Sequence, residues 1–359
     1  MILDLDRLVA VVMAGGGGTR FWPRSRKSMP KQFLSFDGKG SLLSNTVARL
    51  AGLVPPERTY VITGSEHVSM ARRHASTLPE PNVIGEPVGK DTGACVGLAT
   101  LLAERVRPDA IVIILAADHL IETTEQFQGA IRRSAELASS FGSIVTMGVR
   151  PDRPATGYGY IQTGERVDGG VPTAYRVVGF REKPNQETAR RFLLDGCYLW
   201  NSGNLVFQAK VMRRALEQHL PDIFHKLAAL KDPSSPAELQ AVYPSLRRIS
   251  IDFGVLEHCE DRLVIEPSIE WDDLGTFEAV ARHVPLMERG NRQRGEVLVL
   301  EGKGNLVDND TDGLVVISGV DDLLVVRTGD AILIMPRKNA EGVKEVVNEV
   351  ERRGFGSRL

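Results

Sequence analysis

One stretch near the start of the chain, residues 8–34, restricts what the rest can become. It opens with Leu8-Val9-Ala10-Val11-Val12-Met13, an unbroken apolar run of strand length. A strand without polar alternation is buried on both faces, as in a parallel sheet covered by helices. Its end is Gly15-Gly16-Gly17-Gly18, where the lack of a Cβ lets backbone N–H groups approach an anion closely. Thr19, Arg20 and Lys31 follow, so positive charge arrives beside the glycines. The expectation is a ligand that carries phosphate.

The kind of phosphate loop follows from what it lacks. A mononucleotide P-loop closes on Gly-Lys-Ser/Thr, and these glycines run into Thr19-Arg20-Phe21. The dinucleotide fingerprint needs Gly-x-Gly-x-x-Gly, and the count from Gly16 and Gly18 lands on Phe21. Gly-Gly-x-Gly-Thr-Arg, Phe21-Trp22-Pro23 and Pro30-Lys31-Gln32-Phe33-Leu34 together resemble the sugar nucleotidyltransferases, in their mannose-1-phosphate guanylyltransferase branch.

At 359 residues and 39.3 kDa the chain has room for one large domain and a smaller one. A net charge of −2 leaves no broad basic footprint, so a nucleic-acid partner is not expected. Cys95, Cys197 and Cys259 are an odd number without metal-site spacing, which reads as reduced thiols in a cytoplasmic protein. The N-terminus has no basic flank before its apolar run, so no signal peptide is expected. The apolar run 110–117 is far too short to span a bilayer, and no membrane association is expected.

Along the chain, apolar runs at 59–63, 82–85, 110–117 and 144–149 alternate with helical patterns at 44–53, 66–77, 92–107 and 126–141. That alternation predicts an α/β fold with a mostly parallel, Rossmann-like sheet covered by helices. Ligands in such sheets sit outside the carboxyl ends of the strands, which selects the loop 86–94 and Asp118. A carboxylate there, facing a phosphate loop, suits Mg²⁺, which prefers one or two carboxylates plus phosphate oxygens and water. Leu115-Ala116-Ala117-Asp118-His119-Leu120-Ile121 also resembles the family's metal-ligand segment, while His119 itself reads as a packing neighbour. Glu86 can accept from guanine N1–H and its amino group, or else cap a helix or pair with Lys90; Thr92 joins it as a nucleotide contact, with Gly15 to Gly18 and Thr19. The family often has Asn-Thr-Ala-Pro where this chain has Asp91-Thr92-Gly93-Ala94.

Between residues 150 and 207 three segments resemble the family's sugar-phosphate wall: Tyr158-Gly159, Glu182-Lys183 and Asn201 within Trp-Asn-Ser-Gly-Asn. Glu182 can accept from sugar hydroxyls, Lys183 can reach a phosphate as a flexible point charge, and Asn201 can both donate and accept. Helical patterns follow at 210–220, 221–230 and 237–242. Ile249-Ser-Ile-Asp-Phe-Gly-Val-Leu-Glu-His, Leu263-Val-Ile-Glu and Ile269-Glu-Trp-Asp-Asp-Leu-Gly-Thr-Phe then resemble the family's last core elements. Asp273 aligns with the acid of its Trp-x-Asp-x-Gly motif, the expected second metal ligand, with Asp272 beside it as a competitor.

From residue 295 the pattern is β only, with strands at 296–300, 314–317, 323–327 and 331–335, then an amphipathic helix at 341–352. The expected domains are a catalytic one, 1–285, and a small C-terminal β domain with a terminal helix, 291–359. The helix's valine stripe packs on its own domain or, as the resemblance implies for this region, makes a subunit contact in a homodimer. The reaction implied is mannose 1-phosphate plus GTP giving GDP-mannose and pyrophosphate, with Arg20, Lys31, Asp118 and Asp273 carrying catalysis. The alternatives are a thymidylyl or other hexose-1-phosphate nucleotidyltransferase, or a non-catalytic nucleotide-sugar-binding subunit.

Overall fold

The computed structural model describes residues 3–16, 18–36 and 38–359. They form two compact units. The first takes the chain up to Gly15 together with Leu43–Trp271. It is built on a sheet of β1 (Leu8–Ala14), β2 (Thr59–Gly64), β3 (Val83–Glu86), β4 (Ile111–Ala116), β5 (Ile144–Val149), β6 (Tyr160–Arg166), β7 (Thr173–Arg181), β8 (Tyr198–Gln208) and β9 (Arg262–Glu266). The spatial order is β3-β2-β1-β4-β8-β5-β9-β7-β6. β7 and β8 run against the other strands, so the sheet is mostly parallel in direction, as the alternating pattern requires.

β1 and β4 lie at the centre with every residue of Leu8–Val12 and Ile111–Leu115 buried, which is why both read as unbroken apolar runs. Helix Asp91–Val106 packs with Ala209–His219 and Pro221–Ala228 over one continuous core that includes Val9, Val11, Val112, Ile114, Leu216 and Phe224. Helix Thr124–Phe141 lies on β5 and β8 through its buried Phe127, Ile131 and Ala135 face, and ends at Gly142 in the left-handed conformation. Among the described residues no helix is long and apolar enough to cross a membrane.

The second unit joins Gly16–Leu42 to Asp272–Leu359. Its strands Arg292–Arg294, Leu306–Asn309 and Leu323–Arg327 form one parallel ladder, extended by the antiparallel Ile332–Pro336. Val297–Leu300 and Val315–Ser318 form another. The chain alternates between the two ladders, so it winds as a coil around Val307, Ile317 and Val325. Leu306–Asn309 is absent from the sequence reading because two of its four buried residues are polar. Asp308 accepts from Arg294 at 2.5 Å, and the Asn309 amide donates to the carbonyls of Glu296 and Gly313 at 3.0 and 2.6 Å, so burial carries no apolar signature there.

The terminal helix Val343–Arg352 buries Val343 and Val347 and packs on the short turn Thr19–Phe21. Its valine stripe therefore covers its own unit. The Trp22 indole donates to the Arg358 carbonyl at 2.7 Å, and Lys27 pairs with Glu351 at 2.8 Å. The segment that follows the glycine loop is thus held by the chain's last residues.

Candidate active site

In the larger unit the ends of the central strands are tied together before any polar side chain leaves them. Thr63 Oγ1 donates to the Ala14 carbonyl at 2.9 Å, and the Ala117 amide donates to the Met13 carbonyl at 3.0 Å. Asp118 leaves the sheet at this level with its side chain about one-third exposed (35%). His119 Nε2 stands 3.8 Å from Asp118 Oδ1, and the Trp271 indole donates to His119 Nδ1 at 3.2 Å. An indole N–H can only donate, so Nδ1 is the acceptor and the imidazole proton lies on Nε2, toward Asp118.

The sugar-wall residues of the sequence reading come together around Gly159. A Cβ at that position would lie 2.5 Å from Glu182 Oε2, 3.0 Å from the Phe180 ring and 3.4 Å from Asn201 Cβ, so the glycine leaves the Glu182 carboxylate its place beside Asn201. The backbone N–H of Asn201 donates to the Gly159 carbonyl at 2.8 Å, and Lys183 pairs with Glu182 at 2.8 Å. Lys183 holds a φ of 42°, an uncommon backbone state for a side-chain-bearing residue and one that concentrates at functional sites. Tyr158 packs edge-on against Trp200 and Trp271, with ring centroids 4.9 and 5.5 Å away, and accepts from Arg153 at 3.2 Å.

Asn201 is more committed than the sequence suggests. Its Oδ1 already accepts from Thr146 Oγ1 and from the Gly203 amide, both at 3.1 Å, and its Nδ2 donates to Asp252 Oδ1 at 2.9 Å. Asp252 was not among the expected site residues. Burial together with the nearby Glu182 carboxylate pushes it up to about 6, with the Asn201 bond acting in the opposite direction. Its signal in the sequence is only the matching run 249–258, and no spacing rule connects it to Asn201.

Glu86 ends β3 almost fully buried, and its Oε1 has no hydrogen-bond partner. Burial raises its carboxyl from 4.5 to about 7, while the Tyr243 hydroxyl and the Asp91 charge act as smaller influences of opposite sign. No hydrogen bond of ordinary geometry joins Glu86 to Tyr243, whose buried hydroxyl is likewise unpaired. Lys90 donates to the Pro244 carbonyl at 2.9 Å, and neither that bond nor any helix cap employs Glu86. Thr92 Oγ1 accepts from the Ile251 amide at 2.9 Å, which leaves its O–H free to donate.

In the smaller unit Thr19–Phe21 forms a short turn entered from Gly18. Gly18 has φ 56°, and a Cβ there would lie 2.8 Å from Lys31 Cβ and 2.9 Å from Lys31 N. Glycine is required by both the dihedral and the contact. Gly17 lies outside the described residues. Thr19 and Arg20 are exposed, whereas Lys31 is buried above the Phe21 ring, its ammonium 5.8 Å from the centroid. Lys31 Nζ donates to the Asp273 carbonyl at 2.6 Å.

The adjacent acids Asp272 and Asp273 separate cleanly. Asp272 is buried and accepts from Arg282 Nε and Nη2 at 3.0 and 2.7 Å, from the Leu274 amide at 3.0 Å, and faces His283 Nε2 at 3.1 Å. These partners hold its carboxyl below the usual carboxylate range in spite of burial. Asp273 is partly exposed and accepts from the Gly275 amide at 3.0 Å, next to Leu274 at φ 44°.

No group of three or more His, Cys, Asp or Glu side chains arranged to hold a metal occurs among the described residues. The donors offered are single, partly exposed carboxylates, the hard-oxygen kind that fits a divalent ion completed by phosphate and water.

Residues 9–289 match the Nucleotidyl transferase family, and residues 295–350 match the MannoseP isomerase/GMP-like beta-helix domain. The chain is 37% identical to the mannose-1-phosphate guanylyltransferase of Klebsiella pneumoniae over 351 residues, 95% of this chain and 73% of that protein. It is equally 37% identical to the one of Escherichia coli over 350 residues, with the same coverage. A Thermus thermophilus crystal structure described as a mannose-1-phosphate geranyltransferase superposes with a TM-score of 0.87 at 37% identity, covering 96% of this chain and 99% of the other. Family match, near-full-length identity and backbone agree, and on them this protein belongs to the mannose-1-phosphate guanylyltransferases, enzymes of the nucleotidyl transferase family that work with a divalent metal.

Proposed function

We propose that this chain performs the transfer of GMP from GTP to mannose 1-phosphate by in-line attack of the sugar phosphate on the α-phosphorus, with Asp118 and Asp273 holding Mg²⁺. A new bond forms between a phosphate oxygen of mannose 1-phosphate and the α-phosphorus, the α–β bridge breaks, and GDP-mannose and pyrophosphate leave. The nucleophile is largely deprotonated near neutral pH, because the second phosphate pKa is about 6, so no protein base is required. When bound, Mg²⁺ supplies charge neutralisation at the triphosphate. Arg20 and Lys31, with the loop N–H groups of Gly15 to Gly18 and Thr19, bind the triphosphate. Glu86 accepts from the guanine edge beside Thr92.

The observation that carries this reading is the meeting of Glu182, Lys183 and Asn201 around Gly159. Three segments distant in sequence converge there to offer hydroxyl acceptors and a phosphate-binding cation, which is what a hexose 1-phosphate needs. Tyr158 closes its side. We place the catalytic domain at 1–285 and the small β domain at 291–359, in keeping with the two family matches. The unbridged Cys95, Cys197 and Cys259 support a cytoplasmic setting, and exposed Leu298, Leu300, Val316, Ile332 and Ile334 support a homodimer through the coil.

The test is pyrophosphate release with Mg²⁺ across four nucleoside triphosphates and both mannose 1-phosphate and glucose 1-phosphate, beside Asp118→Ala. Release with GTP and mannose 1-phosphate, lost in the variant, is expected. A thymidylyl or other productive pair would replace the specificity. Binding of GDP-mannose without any turnover would replace the enzyme by a regulatory subunit.

A further inference from the structure

The run Ile249–Asp252 is tied on one side to the start of helix Asp91–Val106 and on the other to Asn201. The Gly93 amide donates to the Ile249 carbonyl at 3.0 Å, and the Ile251 amide donates to Thr92 Oγ1 at 2.9 Å. One residue further, Asp252 Oδ1 accepts from Asn201 Nδ2 at 2.9 Å. A four-residue span therefore bridges the start of helix Asp91–Val106 and the sugar wall. It then enters the π-turn Asp252–Leu256, closed by the Glu257 amide on the Asp252 carbonyl at 2.9 Å. π-turns insert an extra residue into a helix and recur where a side chain must be aimed.

The aim here is specific. An amide side chain has two faces that differ only in which end donates, and Asn201 is held in one of them by three bonds from three elements. The ladder between β5 and β8 slips between Thr146 and Gly148, and Gly148 pairs with Asn201. The bulge turns the strand, Thr146 fixes Oδ1, and Asp252 fixes Nδ2. Glu182 lies close enough for its charge to act on Asp252, opposed by Lys183, so the carboxylate belongs to the same cluster that surrounds Gly159.

We propose that Asp252 is a positioning residue of the hexose subsite, whose carboxylate orients the Asn201 amide and links the sugar wall to the nucleotide-binding helix start at Thr92. This rests on the assignment of the Gly159 cluster to the sugar phosphate. An Asn201 freed from Asp252 can flip its amide and present an acceptor where the sugar meets a donor. Loss of Asp252 is thus felt by the sugar phosphate before the nucleotide.

The experiment measures KM for mannose 1-phosphate and for GTP separately, in the wild type, Asp252→Ala, Asp252→Asn and Thr146→Val. Asp252→Ala raises KM for mannose 1-phosphate roughly tenfold or more, the size of one lost hydrogen bond to a charged group, and leaves KM for GTP within about twofold. Asp252→Asn keeps an oxygen for Asn201 Nδ2 and restores the mannose 1-phosphate KM. Thr146→Val, which frees the other end of the same amide, shifts the same KM, and decides the matter if Asp252→Ala does not fold. Both KM values moving together, or an unchanged mannose 1-phosphate KM, would overturn the proposal. A wild type without turnover sinks the reaction instead; the variants are then compared by calorimetric binding of mannose 1-phosphate, and unchanged affinity in Asp252→Ala and Thr146→Val overturns the positioning role.

Discussion

The ammonium of Lys31 donates to the main-chain carbonyl of Asp273 at 2.6 Å, joining two residues 242 positions apart in the sequence. One is the base of the Pro-Lys-Gln signature and the other the acid of Trp-x-Asp-x-Gly. Lys31 is nearly buried, 6% exposed, and sits on Phe21, which itself packs edge-on against Phe36 and Phe277. Lys31→Met keeps the stem and its packing and removes the charge. It lowers kcat by on the order of 100-fold, as expected for one preorganised donor, and lowers stability by about 2 kcal/mol because the Asp273 carbonyl loses its charged donor. Lys31→Arg does not restore the rate, because a planar guanidinium cannot occupy the space of a compact ammonium.

The pair Asp272 and Asp273 yields opposite phenotypes. Removing Asp272 leaves Arg282 and His283 without their acceptor, and Asp272→Ala destabilises by about 2 kcal/mol, a buried-pair loss discounted for the partly exposed Arg282. Asp273→Ala costs little stability and abolishes turnover. Thermal melts and pyrophosphate release on both variants check this; an Asp272 variant that melts normally but is inactive would reverse the assignment.

Glu86 carries a pH dependence whose sign is fixed by its burial. Its carboxyl is raised from 4.5 to about 7 in the folded protein. Below 4.5 both folded and unfolded states hold the proton and there is no cost. Between 4.5 and about 7 the unfolded chain releases it first, so stability falls, by about 3 kcal/mol once the folded pKa is passed. Glu86→Gln removes this loss. The variant melts with the wild type near pH 4.5 and above it at pH 8, while its preference for GTP over other triphosphates declines.

Trp271 fixes the His119 imidazole, whose Nε2 stands 3.8 Å from Asp118 Oδ1. Trp271→Phe retains the ring packing against His119 and Tyr158 and deletes the donor to Nδ1. The imidazole then loses its fixed tautomer. The Mg²⁺ concentration for half-maximal rate rises by about threefold, less than the tenfold or more expected for a partner bonded directly to a ligand, with KM for GTP at saturating Mg²⁺ unchanged. A titration of rate against Mg²⁺ tests it.

Much of the architecture is legible in the sequence because burial writes itself into local patterns. β5 and the strand Leu323–Arg327 occur where the apolar runs place them, and helix Asp91–Val106 is displaced by one residue from the expected 92–107. Leu8–Met13 and 110–117 declare the centre of the sheet, since only strands covered on both faces can be apolar throughout. Tyr158, Gly159, Glu182, Lys183 and Asn201 could be nominated because their short runs, in order along the chain, resemble the family's sugar-phosphate wall.

Sequence patterns therefore specify the sheet, its covering helices and the glycine-rich turn, and they nominate the side chains expected to meet a phosphate, a sugar or a metal. Tertiary structure alone decided which of these side chains are already spoken for. It assigned Asp272 to Arg282 and Asp273 to the open side, gathered Gly16–Leu42 with Asp272–Leu359, buried Glu86, and brought Asp252 to Asn201. The physical reason is range. Periodicity reports how one element faces its surroundings, whereas a hydrogen bond across 51 residues, as between Asn201 and Asp252, depends on where separate elements end after they have packed.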